Sequence, residues 1–313
     1  SARELAVDVE ADSMHHFHAR LCFIQVASEF DIFLFDLLVA EVRAQLLAPQ
    51  FEDPSIIKYF HAAAGDLSYL AEEGVRVRGL FDTHRAATLL RWPKIGLGDL
   101  VQTNLGVTLN KEHQQSDFSL RPLPAEMRAY IADDVRHLIA LGRVVREACA
   151  AADIVEAVRL DCDRLCDEAQ VRPDLLNAFR PKLPRQGLAP SEQALSYHIA
   201  VELNKLRLHL AEAADVPMGR MLSNAAIGAI ATRVPSTVKE LGRLEGVRGP
   251  FARMHGDAVI DLIAKTRERF LQGEFQALDA KRLADEKTER DSRRKKREEV
   301  LLQWRKEKAA HRK

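Results

Sequence analysis

The most constraining feature of the sequence is the close succession of strand-like segments at its start. Three short apolar segments, ELAVDVEA, RLCFIQVAS and DIFLFDLL, lie within residues 4–38. Strands this short are stable only beside neighbours in a sheet. IIKYFHA and LFDTHRAATLLRW each have the pattern of a strand that runs into a helix, and further helices are predicted at GLGDLVQTNLG and from about Ala125. This alternation predicts an α/β domain whose mixed sheet is covered by helices.

The rest of the chain has a helical pattern. One helix is predicted near residues 39–47, and after Asp134 the pattern stays helical almost to the end. The segment RPKLPRQGLAPSEQ contains three prolines and a glycine within ten residues, which is typical of a linker. Residues from about 191 to 272 are predicted to form a compact helical unit. Beyond Gly273 the chain becomes highly charged.

The composition excludes several classes of protein. With 47% hydrophobic, 29% charged and 6% aromatic residues, the 313-residue chain is typical of soluble globular proteins. No apolar run reaches the roughly 18 residues of a membrane span. The start of the chain lacks a signal pattern, so a cytoplasmic protein without membrane contact is expected. The four cysteines lack zinc-site spacing and are expected to be reduced structural thiols.

The net charge of zero conceals a basic tail. Residues 280–313 contain 14 Lys and Arg against 7 Asp and Glu. A basic segment of this kind favours a polyanionic partner.

Two acids interrupt the first predicted strand. Asp8 and Glu10 are two residues apart, so their side chains project to one side while Val7 and Val9 face the other. Adjacent carboxylates repel each other unless a cation lies between them, and they are the usual ligands of magnesium and manganese. An edge strand with a solvated face is the simpler explanation of one isolated pair.

Two later positions could complete such a site. Asp66 follows a strand at the start of a helix, where an acid is also a common cap. Tyr130 and Asp134 are four residues apart and therefore share one helix face. Each feature alone has an ordinary structural explanation, but the combination indicates a catalytic metal site.

The acids, together with the motifs LFDTHRAATLL, GLGDLVQTNLGVTLNKEHQQSDFSLRPLP and RAYIADDVRHL, resemble the ribonuclease D family of DEDDy 3'-5' exonucleases. Downstream, ADVPMGRMLSNAAIGAIATRVPSTVKELGRLEGV resembles the HRDC domain, a small helical nucleic-acid-binding module. The resemblance spans about residues 4–270. It implies a ribonuclease H-like mixed sheet flanked by helices, followed by an all-α HRDC domain.

The resemblance also implies an order of segments. The exonuclease domain is expected at residues 1–150, followed by a helical connector and Pro-rich linker at 151–190. The HRDC domain would then occupy 191–273, and the charged basic tail 274–313.

The implied activity is metal-dependent hydrolysis of phosphodiester bonds from RNA 3' ends, with release of nucleoside 5'-monophosphates. Two divalent ions, Mg²⁺ or Mn²⁺, would be held by Asp8, Glu10, Asp66 and Asp134. Asp8 would bridge both ions, Glu10 and Asp134 would complete the site of the ion that activates water, and Asp66 would support the second ion through water. Tyr130 would orient the attacking water, because a phenol with a pKa near 10 is a poor base at neutral pH.

Substrate contacts are also implied by the resemblance. Tyr69 would stack on the terminal base, although packing within its helix is an equal alternative. Lys111 and Gln114 would lie near the phosphate of the terminal nucleotide. Two segments depart from the family pattern: SDF replaces A-D-W, and ADSMHHFHA lies where the terminal sugar is expected.

The preferred hypothesis is an exoribonuclease that acts as a monomer and matures single-stranded 3' ends of structured RNA such as transfer RNA precursors. The first alternative is the same chemistry on single-stranded DNA in repair, since a contact to the 2'-hydroxyl is not visible in a sequence. The second is a non-catalytic nucleic-acid-binding protein. Such a protein would be expected to have lost a carboxylate, whereas all five site positions are filled here.

Overall fold

A computed structural model gives the fold of the chain. The structure describes residues 3–110, 112, 116–171, 179–181, 183, 187–276, 287–300 and 303. The chain divides into two compact units, one formed by residues 1–178 with 211–218 and the other by residues 179–210 with 219–313. Within the described ranges, none of the helices has the length and apolar character needed to cross a membrane.

The first unit is built on a five-stranded sheet with the order β3-β2-β1-β4-β5. The strands are β1 Glu4–Ala11, β2 Leu21–Ala27, β3 Ile32–Asp36, β4 Ile57–Phe60 and β5 Leu80–Asp82. The central strand β1 is antiparallel to β2 and parallel to β4, and β5 is parallel to β4. The predicted mixed sheet is confirmed. Asp8 and Glu10 lie on its central strand, so the edge-strand explanation for these two acids is wrong.

Seven α-helices accompany the sheet in the described part of this unit: α1 Ala48–Phe51, α2 Ala64–Glu72, α3 Thr83–Leu89, α4 Leu97–Leu105, α5 Ala125–Arg136, α6 Leu138–Ala151 and α7 Val155–Ala169. The prediction of a helix near residues 39–47 is wrong. Turns and irregular backbone occupy 37–43, a 3₁₀ helix spans Ala44–Leu47, and α1 follows with Pro49 in its first turn. Proline suits that position because the first helical N–H groups have no partner within the helix.

The long helix predicted from Ala125 is divided at His137, which allows its two parts to cover different strands. Helix α5 packs against β1, β2 and β3, whereas α6 packs against β1 and β4. A Cβ atom at Gly142 would lie 2.2 Å from the ring of Tyr59, so glycine allows α6 to approach β4 this closely. The Tyr59 hydroxyl in turn donates to Glu4 at 2.7 Å.

Helix α7 belongs to the same apolar core as the sheet. Its buried residues Val158, Cys162 and Leu165 join that core, and α7 contacts both α2 and β5. Arg85 also binds Asp161 on α7 with two hydrogen bonds of 2.6 and 2.9 Å. All four cysteines have free thiols, as predicted.

The second unit is helical, which confirms the predicted all-α segment. Its described helices are α8 Pro190–Ala213, which lies in this unit up to Leu210, and α9 Met218–Met221, α10 Asn224–Arg233, α11 Val238–Leu241 and α12 Gly249–Leu271. Ile199, Ile227 and Val259 are among the residues that form its own apolar core. The buried Arg207 links α8 to the start of α10, because it donates to the Leu222 carbonyl at 3.0 Å and to Asn224 Oδ1 at 2.7 Å.

Asp82, at the end of β5, organises the starts of two helices. Its buried carboxylate accepts four backbone hydrogen bonds, from His84 and Arg85 at 2.9 and 3.2 Å and from Ala62 and Ala63 at 3.0 Å each. The first pair caps α3 and the second fixes the turn before α2. Ala62 in that turn has a φ of 60°, a left-handed conformation that alanine adopts at a cost. Asp82 therefore holds the turn from which α2 begins.

We expect Asp82→Ala to lower the free energy of unfolding of the first unit by about 3–5 kcal/mol, because it leaves several buried N–H groups without an acceptor. Urea denaturation followed by circular dichroism would measure the loss. Asp99→Ala is the matched control, since Asp99 also lies in the first turn of a helix but is exposed; its effect should stay below about 1 kcal/mol. A loss of similar size in both variants would contradict the assigned role.

Candidate active site

Three carboxylates from two elements meet on one face of the sheet. Asp8 and Glu10 come from β1, and Asp134 comes from α5, which packs across that strand. One oxygen of each residue lies within 4.8 Å of the others. All three side chains are partly buried. The sequence-predicted group of Asp8, Glu10 and Asp134 is thus brought together.

Asp66 approaches the same group from another direction. It lies in the first turn of α2, directly after the turn that Asp82 fixes. It is outside the three-oxygen group, but its charge acts on both Asp8 and Glu10 and raises the pKa of each. The structure therefore places the fourth predicted acid within electrostatic reach of the other three.

Tyr130 lies one helical turn before Asp134 and shares a hydrogen bond with it. The phenol donates and the carboxylate accepts. Burial and the neighbouring charges of Asp134 and Glu10 raise the pKa of Tyr130 well above its ordinary value, so its hydroxyl keeps its proton. The ring is almost completely buried and stacks on Phe118 with a centroid distance of 6.4 Å, which fixes the direction of the hydroxyl.

The electrostatics of the group are dominated by burial and mutual repulsion. Burial, followed by the charges of Asp66, Glu10 and Asp134, raises the pKa of Asp8 well above its ordinary value. Burial and the charges of Asp134 and Asp66 raise the pKa of Glu10 to about 8. Burial and Asp82 raise the pKa of Asp66 to about 7, and burial is the main reason that the pKa of Asp134 rises to about 6.

This donor set fits a hard divalent cation. All of its ligands are carboxylate oxygens, which Mg²⁺ and Mn²⁺ prefer over nitrogen or sulfur. A cation among the acids would also remove the repulsion that raises their pKa values. Asp8, Glu10 and Asp134 are positioned to hold such an ion directly.

The predicted substrate-binding residues have different outcomes. Tyr69 lies one turn after Asp66 on α2 and is partly buried against the apolar core, so one side of its ring packs in the protein. Its stacking on a terminal base stays a prediction. Lys111 and Gln114 lie outside the described residues.

Two residues near the group were not singled out from the sequence. Asp82 ends a strand and precedes a helix, so its capping role has a local signal, but its bonds to Ala62 and Ala63 join segments about twenty residues apart. Gln25 is a polar residue in the otherwise apolar strand LCFIQVA, and it lies directly opposite Asp8. That break in the apolar pattern was the only available signal for Gln25.

Comparison with protein families assigns both units. Residues 1–146 match the family model described as 3'-5' exonuclease, and residues 198–263 match the model of the HRDC domain. The two matches occur in the order that the sequence motifs predicted.

Several known proteins are similar in sequence to this chain. The chain is 27% identical to the protein RRP6-like 2 of Arabidopsis thaliana, over 90% of this chain and 33% of that protein. It is 29% identical to ribonuclease D of Gluconacetobacter diazotrophicus, over 84% of this chain and 66% of that protein. Exosome complex component 10 of Mus musculus is 36% identical over 44% of this chain and 16% of its own length. The chain thus spans less than two thirds of the length of each of these relatives.

Two solved structures have the same fold. The catalytic core of RRP6 from Trypanosoma brucei superposes with a TM-score of 0.64 and 25% identity, over 85% of this chain and 74% of that one. RNase D of Escherichia coli, described as an exoribonuclease involved in structured RNA processing, superposes with a TM-score of 0.63 and 23% identity, over 85% and 70% of the two chains. The chain is therefore similar to ribonuclease D and RRP6 proteins over most of its length, and it contains a 3'-5' exonuclease domain followed by an HRDC domain.

Proposed function

We propose that this protein is a 3'-5' exoribonuclease that removes nucleotides one at a time from RNA 3' ends and releases nucleoside 5'-monophosphates. The observation that carries the proposal is the convergence of Asp8, Glu10 and Asp134 within 4.8 Å, in a chain that matches the 3'-5' exonuclease family. Relatives named ribonuclease D support RNA as the polymer.

Exonucleases of this family depend on divalent metal ions, and we propose two Mg²⁺ or Mn²⁺ ions for this protein. When bound, such ions supply an activated water and neutralise the charge that develops on the leaving 3' oxygen. Asp8 would be the ligand that the two ions share, because the charges of Glu10, Asp66 and Asp134 all act on it. These acids must be anionic to bind metal, so the cation also determines their charge state.

Tyr130 has a distinct role in this proposal. A phenol has an ordinary pKa near 10 and is a poor base at neutral pH, but a protonated phenol can donate to or accept from a water molecule. Because its ring is held by Phe118 and its hydroxyl by Asp134, we assign it the orientation of the attacking water.

A basic face in the tail supports a polyanionic substrate. In the helical residues 287–300, Arg290, Arg293, Arg294 and Arg297 follow the i, i+3, i+4, i+7 spacing and therefore share one exposed face. Arg293 and Arg294 also pair along the helix with Glu289 and Glu298, and Lys295, on the other side, lies one turn from both Asp291 and Glu299. We propose that the arginine face contacts phosphates in the body of a structured RNA, such as a transfer RNA precursor, whose 3' end is trimmed.

Two earlier expectations stay predictions. The chain was expected to act as a monomer, but relatives carry the name exosome complex component 10, so an assembly with other proteins is an alternative. A cytoplasmic location likewise stays a prediction.

The first test is a time course on 5'-labelled RNA and DNA oligonucleotides with Mg²⁺, Mn²⁺ or a chelator. We expect a metal-dependent ladder that shortens from the 3' end of RNA. Asp8→Asn should slow it by at least about 100-fold, since loss of groups that merely support a metal ligand already costs 10- to 100-fold. Tyr130→Phe should slow it by about 10- to 100-fold while metal affinity stays close to that of the wild type.

Asp133→Asn is the matched control for the activity assay. It removes a carboxylate from α5 beside Asp134, but Asp133 pairs with Arg136 at 2.7 Å outside the acidic group. Its rate should stay within about threefold of the wild type. A faster ladder on DNA would favour the DNA alternative. Binding without cleavage of either polymer would favour the non-catalytic one.

The raised pKa values predict how pH affects the metal-free protein. Glu10, Asp66 and Asp134 bind protons more tightly when folded, with pKa values of about 8, 7 and 6, than when unfolded, where the ordinary value is near 4. The contribution of these three groups to the free energy of unfolding should therefore be largest near pH 4 and below. It should fall as the pH rises from about 4 through these pKa values and level off only above about pH 8.

Denaturation of a Trp304→Phe variant would measure this, because Trp92 of the first unit is then the only tryptophan. In a chelator the stability should decrease between pH 5 and pH 8. Saturating Mg²⁺ should restore more stability at pH 8 than at pH 5, because it binds the deprotonated acids. A metal effect that is equal at both pH values would argue against a site formed by these carboxylates.

The arginine face predicts a change in salt dependence. In an Asp8→Asn background that leaves RNA intact, Arg293→Gln with Arg294→Gln should weaken binding of a structured RNA and reduce the slope of log affinity against log salt by about 1.5. Lys295→Gln with Lys296→Gln removes the same charge from the other side of the helix and should change the slope much less. Equal changes would indicate that only net charge matters.

A further inference from the structure

Gln25 is a buried polar residue placed next to the acidic group. Every residue of β2 is buried, and the other six are apolar or cysteine. In the antiparallel register of β1 and β2, Gln25 is the direct partner of Asp8. Directly opposed residues in such a pair project to the same face of the sheet. The carboxamide of Gln25 therefore lies on the face that carries the acids.

Neither polar atom of this carboxamide has a hydrogen-bond partner among the described residues. Gln25 has no exposed surface, and both Oε1 and Nε2 are without a partner. In the described part of the chain, the other buried side-chain atoms without a partner are His15 Nε2 and Arg207 Nε. Each of these residues has further nitrogen atoms in its ring or guanidinium, whereas both polar atoms of Gln25 are without a partner. Buried amides are nearly always paired, because an unpaired one destabilises the fold.

A purely structural role does not explain this choice of residue. Methionine has nearly the same length and would fill the same space on β2 without an unpaired group. The amide is also uncharged, so it adds nothing to the repulsion among Asp8, Glu10 and Asp134. It offers two N–H donors and one acceptor, whereas ionised carboxylates can only accept.

We propose that Gln25 is a positioning residue of the metal site. Its carboxamide would form hydrogen bonds with the Asp8 carboxylate and with water when a divalent ion is bound. Nε2 would donate to the Asp8 carboxylate, and Oε1 would accept from water that enters with the ion. The inference rests on the proposed function, because it takes the acidic group to be a divalent metal site.

The test is calorimetric titration of Mn²⁺ into the full chain in the absence of RNA, for the wild type, Gln25→Met and Ile24→Val. We expect Gln25→Met to lower Mn²⁺ affinity about 10- to 100-fold, the usual effect of losing a group that orients a ligand. In a chelator, its urea midpoint should equal or exceed that of the wild type, because an unpaired buried amide has been removed. If Gln25 were purely structural, Gln25→Met would leave Mn²⁺ affinity unchanged and would lower the urea midpoint.

Ile24→Val is the matched control from the same strand. Ile24 is fully buried and pairs with Val9, so its side chain projects to the opposite face from Gln25. This variant should lower the urea midpoint but leave Mn²⁺ affinity within about twofold. If Ile24→Val also weakened Mn²⁺ binding strongly, a general loosening of β2 would explain the Gln25 result and the proposal would be overturned.

Two further results would overturn the inference, and they separate it from the proposed function. Unchanged Mn²⁺ affinity in Gln25→Met, with normal binding by the wild type, removes the role of Gln25 and leaves the metal site standing. If the wild type binds no Mn²⁺, the metal site itself is removed, and the role of Gln25 with it. The Asp8→Asn variant, which should not bind Mn²⁺, shows what such a result looks like. If Gln25→Met does not fold, the amide has a structural partner and the proposal fails.

Discussion

The structure depends on one unfavourable interaction, the mutual repulsion of carboxylates held close together in a partly buried place. One oxygen each of Asp8, Glu10 and Asp134 lies within 4.8 Å of the others, and the charge of Asp66 also acts on Asp8. Left to themselves these groups would separate or take up protons. They stay together because each is attached to an element that the apolar core holds firmly, with β1 at the centre of the sheet and α5 packed across it. The core of the first unit thus supplies the free energy that opposes the repulsion.

The sequence predicted the elements that rely on local patterns. The five strands and the helices that follow β4 and β5 could be recognised because apolar periodicity and capping residues are local signals. It also predicted the acids, because the matching motifs fix their spacing. The segment before α1 was predicted wrongly, since apolar residues there have helical spacing while Pro49 sets the actual start of the helix.

Contacts between distant segments could not be predicted in this way. The bonds from Ala62 and Ala63 to Asp82 depend on β4 and β5 being neighbours. The pairing of Gln25 with Asp8 depends on the exact register of β1 and β2, and a shift of one residue would turn Gln25 to the other face. Neither feature leaves a trace in residue spacing, because both arise only when the sheet has formed.

Helix α7 shows that the unit of sequence similarity and the unit of folding differ. The match to the exonuclease family ends at residue 146, yet Val158, Cys162 and Leu165 complete the core of the first unit against α2 and β5. A fragment cut at the end of the family match would leave that apolar surface open to water, and its self-association would be a consequence of the cut. For protein dissection or domain grafting, the smallest piece that keeps Asp66 on a properly supported helix therefore extends through α7.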